Sequence, residues 1–175
     1  ASGANVPRRL VYVVNRRTVV DQTTAEVEKY KDRKVAGIPE FTVSTLRGQF
    51  ADNREWSADP SRPAIICGTV DMIGSRLLFS GSGVGMKAKP LHAGFLGQDA
   101  LIVHDEAHLE PAFQELLLAI EKEQRRCKDF HPLHVMELTA TRRGTGDVFE
   151  LTENEREIPP NWELREEGSI RHVWQ

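Results

Sequence analysis

Short apolar runs alternate with amphipathic stretches along this chain. Leu10-Val11-Tyr12-Val13-Val14 is rich in β-branched residues and predicts a first strand. From about Thr18 to Arg33 the apolar positions take helical spacing, with Val20, Thr23, Val27 and Tyr30 on one face. Gly37-Ile38-Pro39 breaks the pattern, and Phe41 to Leu46 predicts a second strand ending at Arg47-Gly48. Residues 51–63 are polar, hold Pro60 and Pro63, and predict a loop. Ala64-Ile65-Ile66-Cys67 predicts a third strand, which meets Gly68-Thr69 and a helix to about Phe79 with Val70, Ile73 and Leu77 on its buried side. Ser80 to Gly97 carries five glycines and Pro90 and predicts a long surface loop. A fourth strand spans Ala100 to Val103. A helix follows from Glu110 to about Arg126, with Phe113, Leu116, Leu117 and Ile120 as its stripe, and a fifth strand spans Leu133 to Leu138. Strand alternating with helix predicts the α/β class, with a mainly parallel sheet and flanking helices. There is no internal repeat.

The fourth strand carries the chemistry. Leu101-Ile102-Val103 runs into His104-Asp105-Glu106-Ala107-His108. A short continuous apolar run reads as a strand buried on both faces. Ligands of open α/β sheets bind beyond the carboxyl ends of such strands. Asp105 suits a Mg²⁺ ion, held directly or through water, and Glu106 suits a base that orients or deprotonates a water attacking a γ-phosphate. The plain structural reading is an acidic helix cap ahead of Glu110-Pro111. A zinc reading rests on His104 and His108, four apart. It lacks the glutamate directly after the first histidine and the helix that H-E-x-x-H requires.

Composition and charge narrow the class. The chain has 175 residues, 39% hydrophobic and 28% charged, as in an ordinary globular domain. No apolar run reaches the ~20 residues of a membrane helix, so no membrane partner is expected. Cys67 and Cys127 make no metal pair by spacing and predict reduced thiols in a cytoplasmic protein, with Cys67 as plain core. Net charge is −3. Residues 147–175 hold eight acids against three arginines, so the remainder is net positive by two. Paired basic residues recur at Arg8-Arg9, Arg16-Arg17, Arg125-Arg126 and Arg142-Arg143, each usually a solvated surface. Gly81 to Ala88 is no phosphate loop: Met86 separates the last glycine from Lys87, Ala88 replaces the hydroxyl, and a helix precedes it. Contact with a partner strand or complex suits it better.

The strand ends form an ordered set. They are Asn15-Arg16-Arg17, Thr45-Leu46-Arg47-Gly48, Gly68-Thr69-Val70-Asp71, Asp105-Glu106-Ala107-His108 and Thr139-Ala140-Thr141. A parallel sheet brings all of them to one rim. Arginines, threonine hydroxyls and helix N-terminal amides hold phosphate backbone without reading sequence. Thr18 and Thr69 each also read as ordinary helix caps.

This order of motifs resembles the first RecA-like domain of a superfamily 2 DEAH-type helicase, a P-loop NTPase fold, over residues 10–143. Asp105-Glu106-Ala107-His108 looks like motif II, the DEAH box, and Thr139-Ala140-Thr141 like motif III, which couples ATP hydrolysis to strand movement. Asn15-Arg16-Arg17 sits where motif Ia sits. Thr45-Leu46-Arg47-Gly48 and Gly68-Thr69-Val70-Asp71 sit where motifs Ib and Ic meet the tracking strand. Gly68 to Phe79, Pro90 to Gly97 and Val103 to Pro111 look most like the helicase of type I CRISPR interference, in particular type I-G.

The resemblance implies ATP and Mg²⁺ as cofactors, with Asp105 on the metal. Glu106, Asp105 and His108 would be catalytic, and Thr139 and Thr141 coupling residues. Asn15, Arg16, Arg17, Thr45, Arg47, Gly48, Gly68 and Thr69 would contact single-stranded DNA through its backbone. It implies recruitment to a crRNA-guided surveillance complex in antiviral defence, with an HD nuclease, whose signature is absent here, cutting the strand. Residues 1–146 would be a partial first RecA-like domain with motifs Ia to III. Residues 147–175 would be an acidic tail or connection toward a second RecA-like domain. The chain opens at Ala1 without methionine and contains no Walker A motif. The resemblance places that motif upstream of Ala1 and predicts a gap or raw edge beside the acidic strand. Alone, this piece would not hydrolyse ATP. The rival reading is a RecA-like module that binds nucleic acid or protein without catalysis. Backbone contacts do not separate DNA from RNA.

Overall fold

The computed structural model describes residues 6–32, 39–48 and 55–139. All five predicted strands form: β1 (Arg9–Val14), β2 (Thr42–Leu46), β3 (Ala64–Thr69), β4 (Ala100–Asp105) and β5 (His134–Leu138). They make one sheet in the order β2-β3-β1-β4-β5, with every neighbouring pair parallel. The helices are α1 (Arg17–Asp32), α2 (Glu55–Ala58), α3 (Val70–Leu77), α4 (Lys89–Gly97) and α5 (Pro111–Cys127), with a one-turn 3-10 helix at Ala107–Leu109. The protein is therefore α/β, with helices flanking a parallel sheet. No helix among the described residues is long and apolar enough to cross a membrane.

Alternation along the strands divides the core in two. Val11, Val13, Ile66 and Ile102 join Trp56, Ile73, Leu77, Leu96, Phe113 and Leu117 in the larger cluster, which lies under α2 to α5. Val14 and Cys67 join Val20 of α1 in the smaller one, with Tyr12 and Val27 packed against it. Cys67 is core, as expected, and burial pushes its thiol up. Tyr30, expected on the buried stripe of α1, is 58% exposed.

Four expectations are corrected. Residues 80–97 are not loop throughout, because α4 starts at Lys89 with Pro90 in its first turn, where proline's missing N–H costs nothing. Its Ala93 and Leu96 are buried. The polar stretch before Pro60 contains the short helix α2, which drives Trp56 into the core at 1% exposure. Thr18 is no cap: the carbonyl of Arg16 accepts from Val19 and Val20, so Thr18 lies inside the first turn of α1. Finally, the acidic strand has no raw edge. β4 is hydrogen-bonded to β1 on one side and β5 on the other, and the open edges belong to β2 and β5. Met136 and Leu138 of β5 are 42% and 38% exposed. Thr141 and residues 147–175 lie outside the described residues.

The sharpest packing constraint sits at the end of β3. A Cβ on Gly68 would stand 2.9 Å from Ile73 Cδ1 and 3.2 Å from Leu46 Cβ. Gly68→Ala should therefore overpack the core and lower stability by about 1–3 kcal/mol. Urea unfolding of the two proteins measures the difference.

Candidate functional site

β4 is buried from Ile102 to His104 and ends in a half-buried Asp105, with Glu106 after it exposed. The apolar run thus delivers two carboxylates to the rim. The neighbouring strand holds the first of them. Tyr12, which pairs with Val103, donates its phenol to Asp105 Oδ2 at 2.7 Å. A carboxylate accepts several hydrogen bonds, so Tyr12 orients Asp105 without exhausting it. Burial pushes the Tyr12 phenol well above the ordinary tyrosine range, and the bond to Asp105 adds to the shift.

Glu106 turns the chain out of the strand. Its backbone is left-handed, with φ 55° and ψ 40°. That conformation costs an ordinary residue about 1–2 kcal/mol and suits glycine. Phe79, Asp99 and Lys128 share that conformation, and at Glu106 it marks the sharp exit from the strand. The turn continues into the 3-10 helix, which carries His108. His108 Nδ1 lies 3.3 Å from Glu106 Oε2 and 3.3 Å from Thr139 Oγ1. The contact with Thr139 is a hydrogen bond whose direction the imidazole tautomer sets, and the Glu106 carboxylate stands within ion-pair distance of the same nitrogen. The acid turn of β4 and the residue after β5 are joined through one imidazole.

A second chain links the same strands deeper in. Glu137, paired with His104, accepts from Gln114 Nε2, and Gln114 Oε1 lies 2.7 Å from His104 Nδ1. Because Glu137 only accepts, the amide must point this way, and His104 Nδ1 is the donor. His104 is fully buried, edge-on to Phe113 at 5.0 Å. Its Nε2 has no hydrogen-bond partner among the described residues. His104 is thus spoken for on a strand while His108 sits on a 3-10 turn, so no helix presents the two together as the zinc reading needs.

Among the described residues no group of three or more His, Cys, Asp or Glu could hold a metal ion. Asp105 supplies one carboxylate. That fits Mg²⁺, which commonly takes one or two carboxylates and completes its shell with water and phosphate.

The predicted backbone contacts divide. Arg16 and Arg17 are exposed at the start of α1. Asn15 is half-buried, and its Oδ1 has no partner among the described residues. Thr45 shares a hydroxyl contact of 3.1 Å with Thr24, and Arg47 is ion-paired to Asp21. Gly48 takes the positive φ of 73° that glycine favours. Gly68 and Thr69 face inward instead. Thr69 is 6% exposed and caps α3, accepting from Met72 N. The helix cap expected of it is formed. Three strand spacings separate β2 from β4, so Arg47 and the acid pair stand about 14 Å apart along the rim.

Sequence reasoning missed Tyr12, Gln114 and Asp21. Tyr12 had a weak signal, a polar tip within an apolar strand. Gln114 had none, since a glutamine on a helix face says nothing until the strand beneath it is known. No known family model matches this chain, and no curated protein matches it either.

Two outcomes follow from this geometry. The fold favours the neutral phenol of Tyr12, whereas the unfolded tyrosine loses its proton near pH 10. Stability should be unaffected below about pH 10 and fall above it, and Tyr12→Phe should flatten that fall. Denaturation across pH 8–12 checks this. Glu106→Gly should be about 1 kcal/mol more stable than Glu106→Ala, the reverse of the order inside a helix. Thermal melts of the two variants decide it.

Proposed function

We propose that this chain is part of the first RecA-like domain of an ATP-dependent DNA helicase acting in CRISPR antiviral defence. It would pull single-stranded target DNA from a crRNA-guided surveillance complex. The observation that carries the reading is the meeting of Asp105, Glu106 and Thr139 at one rim of a parallel sheet, joined through His108. Motifs II and III of a motor need that adjacency, because the nucleotide end must report to the strand-holding end.

Bound ATP with Mg²⁺ would supply the γ-phosphate bond whose cleavage drives the cycle. Glu106 would orient or deprotonate the attacking water, and Asp105, bonded by Tyr12, would hold the Mg²⁺. His108 would carry the position of the Glu106 turn to Thr139, with Thr141 two residues further along the chain. Arg16, Arg17, Thr45 and Arg47 neutralise or bond the DNA backbone from the same rim. Gly68 and Thr69 build the floor beneath them. In this reading the open edge of β5, with Met136 and Leu138 exposed, would take the Walker A strand. With no phosphate loop among its residues, this chain by itself would not hydrolyse ATP.

One observation favours a non-catalytic binding module instead: Gly81 to Lys87 lies between α3 and α4 rather than after a strand, so these residues offer no phosphate loop. A parent gene without G-x-x-x-x-G-K-[ST] would decide for it. The direct test is Glu106→Gln in the protein carrying both halves of the ATP site. ATP hydrolysis should fall by about 10²–10⁴-fold, with ATP and DNA retained together. Normal turnover in that variant removes Glu106 from the chemistry.

A further inference from the structure

We propose that Asp21 is a built-in competitor of the nucleic-acid backbone: its carboxylate occupies Arg47 in the free chain, and a strand phosphate has to displace it. This rests on the reading of Arg47 as a backbone contact. A cleft of about 210 Å³ opens between α1 and the end of β2, lined by Asp21, Thr24, Ala25, Glu28, Thr45 and Arg47. On the β2 side it offers a phosphate the Arg47 guanidinium, while the Thr45 hydroxyl is bonded to Thr24. The α1 side opposes the anion. Asp21 Oδ2 is ion-paired to Arg47 Nη1, and Glu28 adds a second carboxylate. Arg47 is thus the one cation among the lining residues, facing two acids. As it stands, the cleft repels a phosphate.

The pair is placed to exchange rather than to lock. The side chains of Arg47 and Asp21 are 41% and 43% exposed, and ion pairs open to water hold weakly. Phosphate offers the guanidinium a stronger, bidentate partner than a single carboxylate oxygen does. The rest of the cleft is steadier. Thr24 Oγ1 lies 2.8 Å from the carbonyl of Val20 and 3.1 Å from Thr45 Oγ1, so the hydroxyl pair is tied to the helix backbone. Binding then trades one ion pair for another. That keeps the net gain small and release fast, as a contact made and broken at each step requires.

The experiment is fluorescence anisotropy of the full 175-residue chain with fluorescein-labelled (dT)20 at low and moderate salt. Asp21→Asn keeps the shape and removes the charge. It should tighten binding about 3- to 10-fold at low salt. Glu115→Gln on α5 makes the same charge change elsewhere and should do much less. In an Arg47→Ala background Asp21→Asn should gain nothing. If Arg47→Ala binds as well as the unaltered chain, the backbone-contact reading fails and this inference with it. If Arg47→Ala weakens binding but Asp21→Asn changes nothing, Arg47 stands and the competitor role of Asp21 is overturned. A gain that persists without Arg47, or that Glu115→Gln matches, also overturns it.

Discussion

Parallel pairing of β4 with β5 is the constraint on which the rim depends. The register sets Asp105 opposite Leu138, so the residues that follow, Glu106 and Thr139, leave the sheet side by side. A slip of one residue would turn Val135 out of the core and bring Met136 in. It would also part His104 from Glu137. The chain from buried His104 and Gln114 to the exposed Glu137 therefore acts as a register pin. Any other pairing leaves a buried polar group without its bond, which costs more than the bond itself contributes.

Above that pin the rim is held in a conformation of its own. Glu106 sits in left-handed backbone, and Tyr12 reaches across from β1 to Asp105. These two features oppose each other in energy. The first costs stability locally, and the second recovers some by bonding a half-buried carboxylate. Strain that the surrounding packing can hold is what a site needs if its side chains are to stay where solvent would not leave them. The same rim then separates into two regions. Carboxylates gather at β4, while the cationic residues stand at the ends of β1 and β2, with Arg47 restrained by Asp21.

Much of this was legible in the residues. Runs such as Leu101-Ile102-Val103 announce buried strands because no half-exposed element tolerates them, and three such runs, with two more polar strand stretches alternating with amphipathic ones, point to a parallel sheet. The acid pair was placed at a strand end by the same pattern. Other features were not legible. The helix α4 was hidden by glycines and Pro90, residues that mark loops in general but are tolerated in a short helix with Pro90 in its first turn and Leu96 in the core. Helix α2 is four residues long and carries one apolar anchor, Trp56, too little for any periodicity. Thr69 shows how a residue can suit two roles in sequence, and only its hydrogen bond to Met72 N reveals the cap.

Which stretches become strands and helices, and which acids stand at their ends, follows from local patterning, because side-chain period and turn chemistry act within a few residues. Strand order does not. That β4 lies between β1 and β5, that Gln114 bridges His104 and Glu137, and that Asp21 meets Arg47 are decided by contacts between residues about 10 to 90 apart in the chain. Such contacts form only when the sheet closes around a shared core, and no window of sequence contains both partners together with the packing that aligns them.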